Sequence, residues 1–145
     1  MKNLRTVMQI ARAVRREGEA VHKDWGDEDS DLGGWCAHSS NLLFQELLRR
    51  GIQAKLVWNG LHCFVTYGPY IVDITATQFG KYKKVELRPR QSKNKKTDWW
   101  NEDHRVSNEK QYNRGRGWAC MPGDDNFYKE WYEKARPRIQ ALRIR

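Results

Sequence analysis

Apolar residues recur in the first segment at Leu4, Val7, Met8, Ala11 and Val14, with arginine or lysine at other positions. Steps of three and four put those side chains on one side of a helix. The pattern predicts a helix from about Asn3 to Arg16, stopping near Gly18. Leu42, Leu43 and Leu47, with Phe44, predict a second helix that opens near Cys36 and runs to about Arg50. The basic pair Arg49-Arg50 and then Gly51 suit its C-terminal end. From Gly51 to Phe79 the period shortens to that of strands. Ala54 to Trp58 is one strand, Asn59-Gly60 a tight turn and Leu61 to Tyr67 a second strand. Gly68-Pro69 turns the chain again, Tyr70 to Ile74 is a third strand, and Val85 to Leu87 supplies material for another short one.

Beyond the sheet the pattern fades. From about 88 to 116 the chain is a polar, Lys-rich loop, broken by Trp99-Trp100 and Tyr112. A loop of that length within a small domain is unusual. A final helix from about Asp125 carries Phe127, Tyr128, Trp131 and Ala135, with Pro137 interrupting it. The last ten residues hold four arginines and are expected to face solvent. A cysteine-bearing helix on a small antiparallel sheet, with helices at either end, is an α+β arrangement.

The 145 residues suffice for one core, so residues 1–145 are read as a single domain. The formal net charge of +9 favours anionic partners, among them nucleic acid bound without specificity, acidic protein patches and membrane surfaces. No apolar run approaches the length needed to span a membrane, so no membrane partner is expected. Five basic groups and no acid lie in the first sixteen residues, as in an organellar presequence, but the apolar spacing fits a core-packing helix. Three cysteines (Cys36, Cys63 and Cys120) are too few for a disulfide framework, and a reducing cytoplasm is the expected location.

Cys36 stands where Gly33-Gly34-Trp35 gives way to a helix. Helix N-termini offer free N–H groups and a positive dipole end, an environment that favours thiolate over thiol. The plain alternative is a packed cysteine beside glycine. A hairpin closed at Gly68-Pro69 sets Tyr67 opposite Tyr70, Phe64 opposite Asp73 and His62 opposite Thr75. His62 and Asp73 then share one sheet face as diagonal neighbours, and a one-residue slip would part them. Within apolar strands each needs a polar partner. A purely structural His–Asp bond would meet that need but leaves Cys36 unexplained.

Trp-Cys-Ala-His-Ser-Ser-Asn-Leu-Leu on a helix, His62 on one strand and Val-Asp-Ile-Thr-Ala-Thr-Gln-Phe on the next resemble the transglutaminase-like branch of the papain-like cysteine hydrolases. The likeness spans about Gly33 to Phe79. It implies a papain-like or transglutaminase-like fold, with Cys36 as nucleophile, His62 as general base and acid, and Asp73 orienting the imidazole. Family members include peptidases, protein deamidases and transglutaminases, so the implied substrate is a protein or peptide amide and no cofactor is called for. One departure concerns the oxyanion hole. Papain-type enzymes carry a glutamine shortly before the cysteine, whereas no Gln lies between Gln9 and Gln45. The Cys36 N–H is one available donor. Trp35, Ser30 and Asn41 are candidates for the second, and Gln78 matches the family pattern near the site, where it is read as structural.

Other signals are weaker. Cys36, His38, His62 and Cys63 do not follow structural zinc spacings, and neighbouring strand residues point oppositely. Asp27, Asp29 and Asp31 start like a calcium loop, but Leu32 and His38 occupy the positions that need Gly and Glu. No metal is expected. Lys81, Lys83, Lys84, Lys93, Lys95 and Lys96 precede Trp99-Trp100, a mixture of charge and rings that could contact nucleic acid. The plainer reading has those tryptophans capping the core. The alternative function is therefore a basic nucleic-acid-binding module on the same fold without catalysis.

Overall fold

The computed structural model describes residues 2–24, 35–59, 61–92, 94–102 and 125–144. Three helices, α1 (Leu4–Asp24), α2 (Cys36–Arg49) and α3 (Asp125–Gln140), accompany four strands, β1 (Lys55–Trp58), β2 (Cys63–Tyr67), β3 (Tyr70–Asp73) and β4 (Glu86–Pro89). The strands form one antiparallel sheet in the order β1-β2-β3-β4, so every neighbour in the sheet is also a neighbour in sequence. The fold is α+β.

The alternation of side chains along the strands splits the interior in two. Leu56, Cys63, Val65, Val72 and Ile74 join Val7, Ile10, Val14, Leu43 and Leu47 in the larger cluster, between helices and sheet. Val57, Phe64 and Ile71 point the other way, where Ala76 and Trp100 cover them. Two short 3-10 turns, Ala76–Phe79 and Asp98–Trp100, supply that second cover.

The β2–β3 register pairs Tyr67 with Tyr70, Thr66 with Ile71 and Val65 with Val72, as a hairpin closed at Gly68-Pro69 requires. Gly68 adopts φ 55°, a left-handed conformation that glycine reaches without steric cost.

Several boundaries differ from the sequence pattern. Helix α1 continues through Gly18 to Asp24, and the residue just before the glycine is held on α3. The Trp131 indole donates to the Glu17 carbonyl at 3.2 Å, and Arg138 holds the Glu17 carboxylate at 2.8 Å. These contacts outweigh the roughly 1 kcal/mol that an internal glycine costs a helix. Helix α3 likewise runs through Pro137. The proline is exposed, while Ile139 is buried one turn from Ala135. Past the proline, Arg50 donates to the Leu142 carbonyl at 2.9 Å and Arg49 to that of Gln140 at 3.2 Å, satisfying oxygens at the helix end. The tail is not uniformly solvent-facing, since Ile139 is buried and Leu142 and Ile144 pack on the core. Strand β4 reaches Pro89, so the polar loop starts two residues later than the pattern placed it, and it contains the Asp98–Trp100 turn. No helix among the described residues is long and apolar enough to cross a membrane.

Candidate active site

Cys36 is the first residue of α2, directly after Trp35. No side chain caps this terminus; the Trp35 carbonyl accepts both the Ser39 N–H at 3.0 Å and the Ser39 hydroxyl at 2.6 Å. One turn after Cys36, the Ser40 hydroxyl donates to the Cys63 carbonyl at 3.1 Å. That bond pins the first turn of the helix beside the start of β2, where His62 sits.

His62 belongs to the turn before β2 rather than to the strand. The Asn59 side-chain oxygen accepts the N–H groups of Leu61 and His62, each at 2.9 Å, so both are drawn into the turn. The His62 ring is fully buried between Phe64, stacked at 5.9 Å, and Phe79, edge-on at 4.8 Å. Its Nε2 meets Asp73 Oδ2 at 2.7 Å. With Nε2 engaged, Nδ1 faces the other way, where Gln78 Nε2 lies at 3.5 Å. Cys36 is close enough to this imidazole to help raise its pKa, after the larger effect of Asp73.

Asp73 is fully buried and well supplied with donors. Besides His62, the Trp100 indole N–H donates to Oδ2 at 2.7 Å and the Thr75 N–H to Oδ1 at 2.9 Å. Burial opposes ionisation of this carboxyl. The positive imidazole beside it and its several donors prevail, and its pKa falls below the ordinary value. Burial also opposes charge on His62, but the charge and hydrogen bond of Asp73, aided by Cys36, raise its pKa to about 10. The pair is thus an imidazolium–carboxylate pair at neutral pH.

No family model, curated protein or solved structure matches this chain. The chemistry of the site therefore rests on its own geometry.

Of the described candidates for a second oxyanion donor, only Gln78 reaches the imidazole. The Trp35 ring is buried with its plane at 87° to that of Trp131, at 4.7 Å. Asn41 lies five residues along α2 from Cys36, about 140° around the helix, and its oxygen accepts from Gln45 at 3.4 Å. Ser30 lies outside the described residues, as do the acidic segment 25–31, Gly33-Gly34, Cys120 and loop residues 103–116. His38 is about 200° around α2 from Cys36, on the opposite side of the helix. Its burial lowers its pKa to about 4. Among the described residues no three His, Cys, Asp or Glu side chains group as metal ligands do.

Two contributors escape the sequence pattern. Trp100 is 2% exposed and covers the sheet as a core cap would, but its N–H also serves Asp73. Asn59, which reads as half of a turn, donates its amide to the carbonyls of Trp99 and Asn101, both at 2.9 Å. One side chain thus holds the His62 turn and the Trp100 turn together. The available signal is a tryptophan pair set in an otherwise polar loop.

Proposed function

We propose that this chain is a cysteine-dependent acyl-transfer enzyme of the transglutaminase-like, papain-like type, acting on protein or peptide amides. The supporting observation is that buried His62 binds Asp73 through Nε2 at 2.7 Å and has its pKa raised by Asp73 and by Cys36, the first residue of a helix. The order Cys, His, Asp along the chain and their placement at a helix start, a strand start and the end of the next strand support the finer fold reading. A reducing compartment suits a nucleophile that must stay a thiol.

In this reading the Cys36 proton already rests on His62 as a thiolate–imidazolium pair, and the thiolate attacks the substrate carbonyl carbon. The resulting oxyanion is met by the Cys36 backbone N–H, and by the Gln78 amide once it turns from the Thr75 carbonyl, to which it donates at 3.0 Å. Collapse expels the amine, which takes its proton from the imidazolium and leaves a thioester on Cys36. Water, giving its proton to His62, then releases the acid and regenerates the thiolate–imidazolium pair, or an acceptor amine attacks in the same way and gives transamidation. Asp73 keeps the imidazole in the tautomer and orientation that both proton transfers need.

Iodoacetamide labelling tests the reading. At pH 6.5 Cys36 is expected to react faster than a free thiol, and His62→Ala to slow it at least ~10²-fold, the scale of a general base. Labelling no faster than a free thiol, and unchanged in His62→Ala, would remove the proposal. Gln78→Ala separates the two halves of the mechanism. Alkylation develops no oxyanion, so labelling should persist, while turnover of an amide substrate falls by about 10²-fold or more.

A further inference from the structure

Among the described residues, the arginines other than Arg136, which lies over the Tyr132 ring, fall into two groups. Arg15, Arg49, Arg50, Arg88, Arg90 and Arg138 each sit within ion-pair distance of a glutamate. Arg5, Arg12, Arg16 and Arg143 are exposed, and among the described residues none of them makes an ion pair or hydrogen bond. The second group is gathered on one surface. On α1, steps of seven and four residues keep Arg5, Arg12 and Arg16 within an arc of about 40°. The stripe extends about 17 Å along the helix at 1.5 Å per residue. Like charges one turn apart repel, so the stripe works against the helix that carries it.

The stripe is also a ridge between two hollows. On one side a groove of about 420 Å³ is bounded by Arg12, Arg16, Lys83 and Lys84, with Val85 in its wall. Its single carboxylate, Glu19, is already held by Lys84 at 2.8 Å and lies 3.8 Å from Arg15 Nε. On the other side a cleft of about 220 Å³ shares Arg12 and Arg16 and adds Arg143. Among the described residues, no aromatic ring lines either hollow.

We infer that this α1 surface binds the phosphate backbone of double-stranded nucleic acid. An extended acidic peptide turns successive side chains to opposite sides, so it offers a row of carboxylates only where its sequence places an acid at every second residue. A nucleic-acid backbone carries a phosphate at every residue, whatever its sequence, and matches a continuous cationic track. The missing rings argue against a single-strand site, where bases stack on aromatic side chains. The Lys–Trp loop is a poor alternative surface, because Trp100 is buried against Asp73 and Trp99 stacks on Phe79 at 4.8 Å. Such binding is independent of sequence, sensitive to salt and separate from the Cys36 site.

Fluorescence anisotropy of the full chain with a labelled 16-base-pair duplex, over a salt series, tests the inference. The wild type is expected to bind, with log K falling linearly in log salt. Arg12→Ala/Arg16→Ala should weaken binding and reduce that slope by about 1.8, at ~0.9 per lost phosphate contact. Arg12→Lys/Arg16→Lys keeps the charge and should retain most of the binding, as should Cys36→Ala and Lys95→Ala/Lys96→Ala. An unchanged slope in the double alanine variant would overturn the inference. So would loss of binding in the Lys95/Lys96 variant alone, or poly-glutamate competing as well as unlabelled duplex. Failure of the labelling test at Cys36 would leave these results untouched.

Discussion

The sheet end around His62 and the interior of α2 around His38 bury the same side chain equally, both at 0% exposure. At the sheet end, Asp73 answers the buried ring with a charge of opposite sign, and His62 rises to about 10. In α2 burial dominates, and His38 falls to about 4. Desolvation alone therefore makes a neutral core histidine. A carboxylate that is itself supported by Trp100 and Thr75 reverses the outcome and creates a group able to exchange protons with a neighbouring thiol.

The largest way to break this contrast is to remove the charge at Asp73. Asp73→Asn should cost about 3–5 kcal/mol in urea unfolding at pH 6, since it leaves a buried cation without its counter-charge. The pH dependence sharpens the result. His62 has its pKa raised in the folded state, so its stabilisation is complete below 6.5 and is lost as pH climbs toward about 10. The wild type should show this alkaline decline and the Asn variant should not.

His38 has the opposite sign. Its folded pKa is depressed, so its contribution is complete above 6.5 and is lost as pH falls from 6.5 to about 4. That window is worth about 3 kcal/mol. His38→Leu should flatten this acid limb in unfolding measured over the same range, and an unchanged limb would show that His38 is not buried neutral.

A smaller effect follows from Trp100→Phe, which keeps a ring over the sheet but removes the N–H to Asp73. A lost hydrogen bond to a charged group predicts about 2 kcal/mol in urea unfolding. Iodoacetamide labelling of Cys36 should also slow, with a shifted pH profile, because the carboxylate that orients His62 is less firmly held. A stability loss with an unchanged profile would make Trp100 a packing residue only.

Much of this arrangement was legible in the chain. The parity of His62 and Asp73 across Gly68-Pro69 follows from the two-residue repeat of strands, and the start of α2 at Cys36 from its leucine spacing. The Trp100 contact was not legible, because it depends on a turn 27 residues from Asp73 folding back over the sheet. Asn59 reads as half of a tight turn, but its amide reaches carbonyls about 40 residues away, and no local pattern encodes such a bond. The end of α1 was missed for a similar reason, since contacts with α3, more than a hundred residues distant, overrule the glycine.

The order of the sheet has a consequence for association. Among the described residues β1 and β4 are the edge strands, and each is four residues long. β4 ends in Pro89, which has no N–H to offer an incoming strand, and carries the Arg88–Glu86 ion pair. β1 begins with the exposed charge of Lys55. Short margins marked by a proline and by charges give a second copy little to extend, so the sheet resists growing into fibrils.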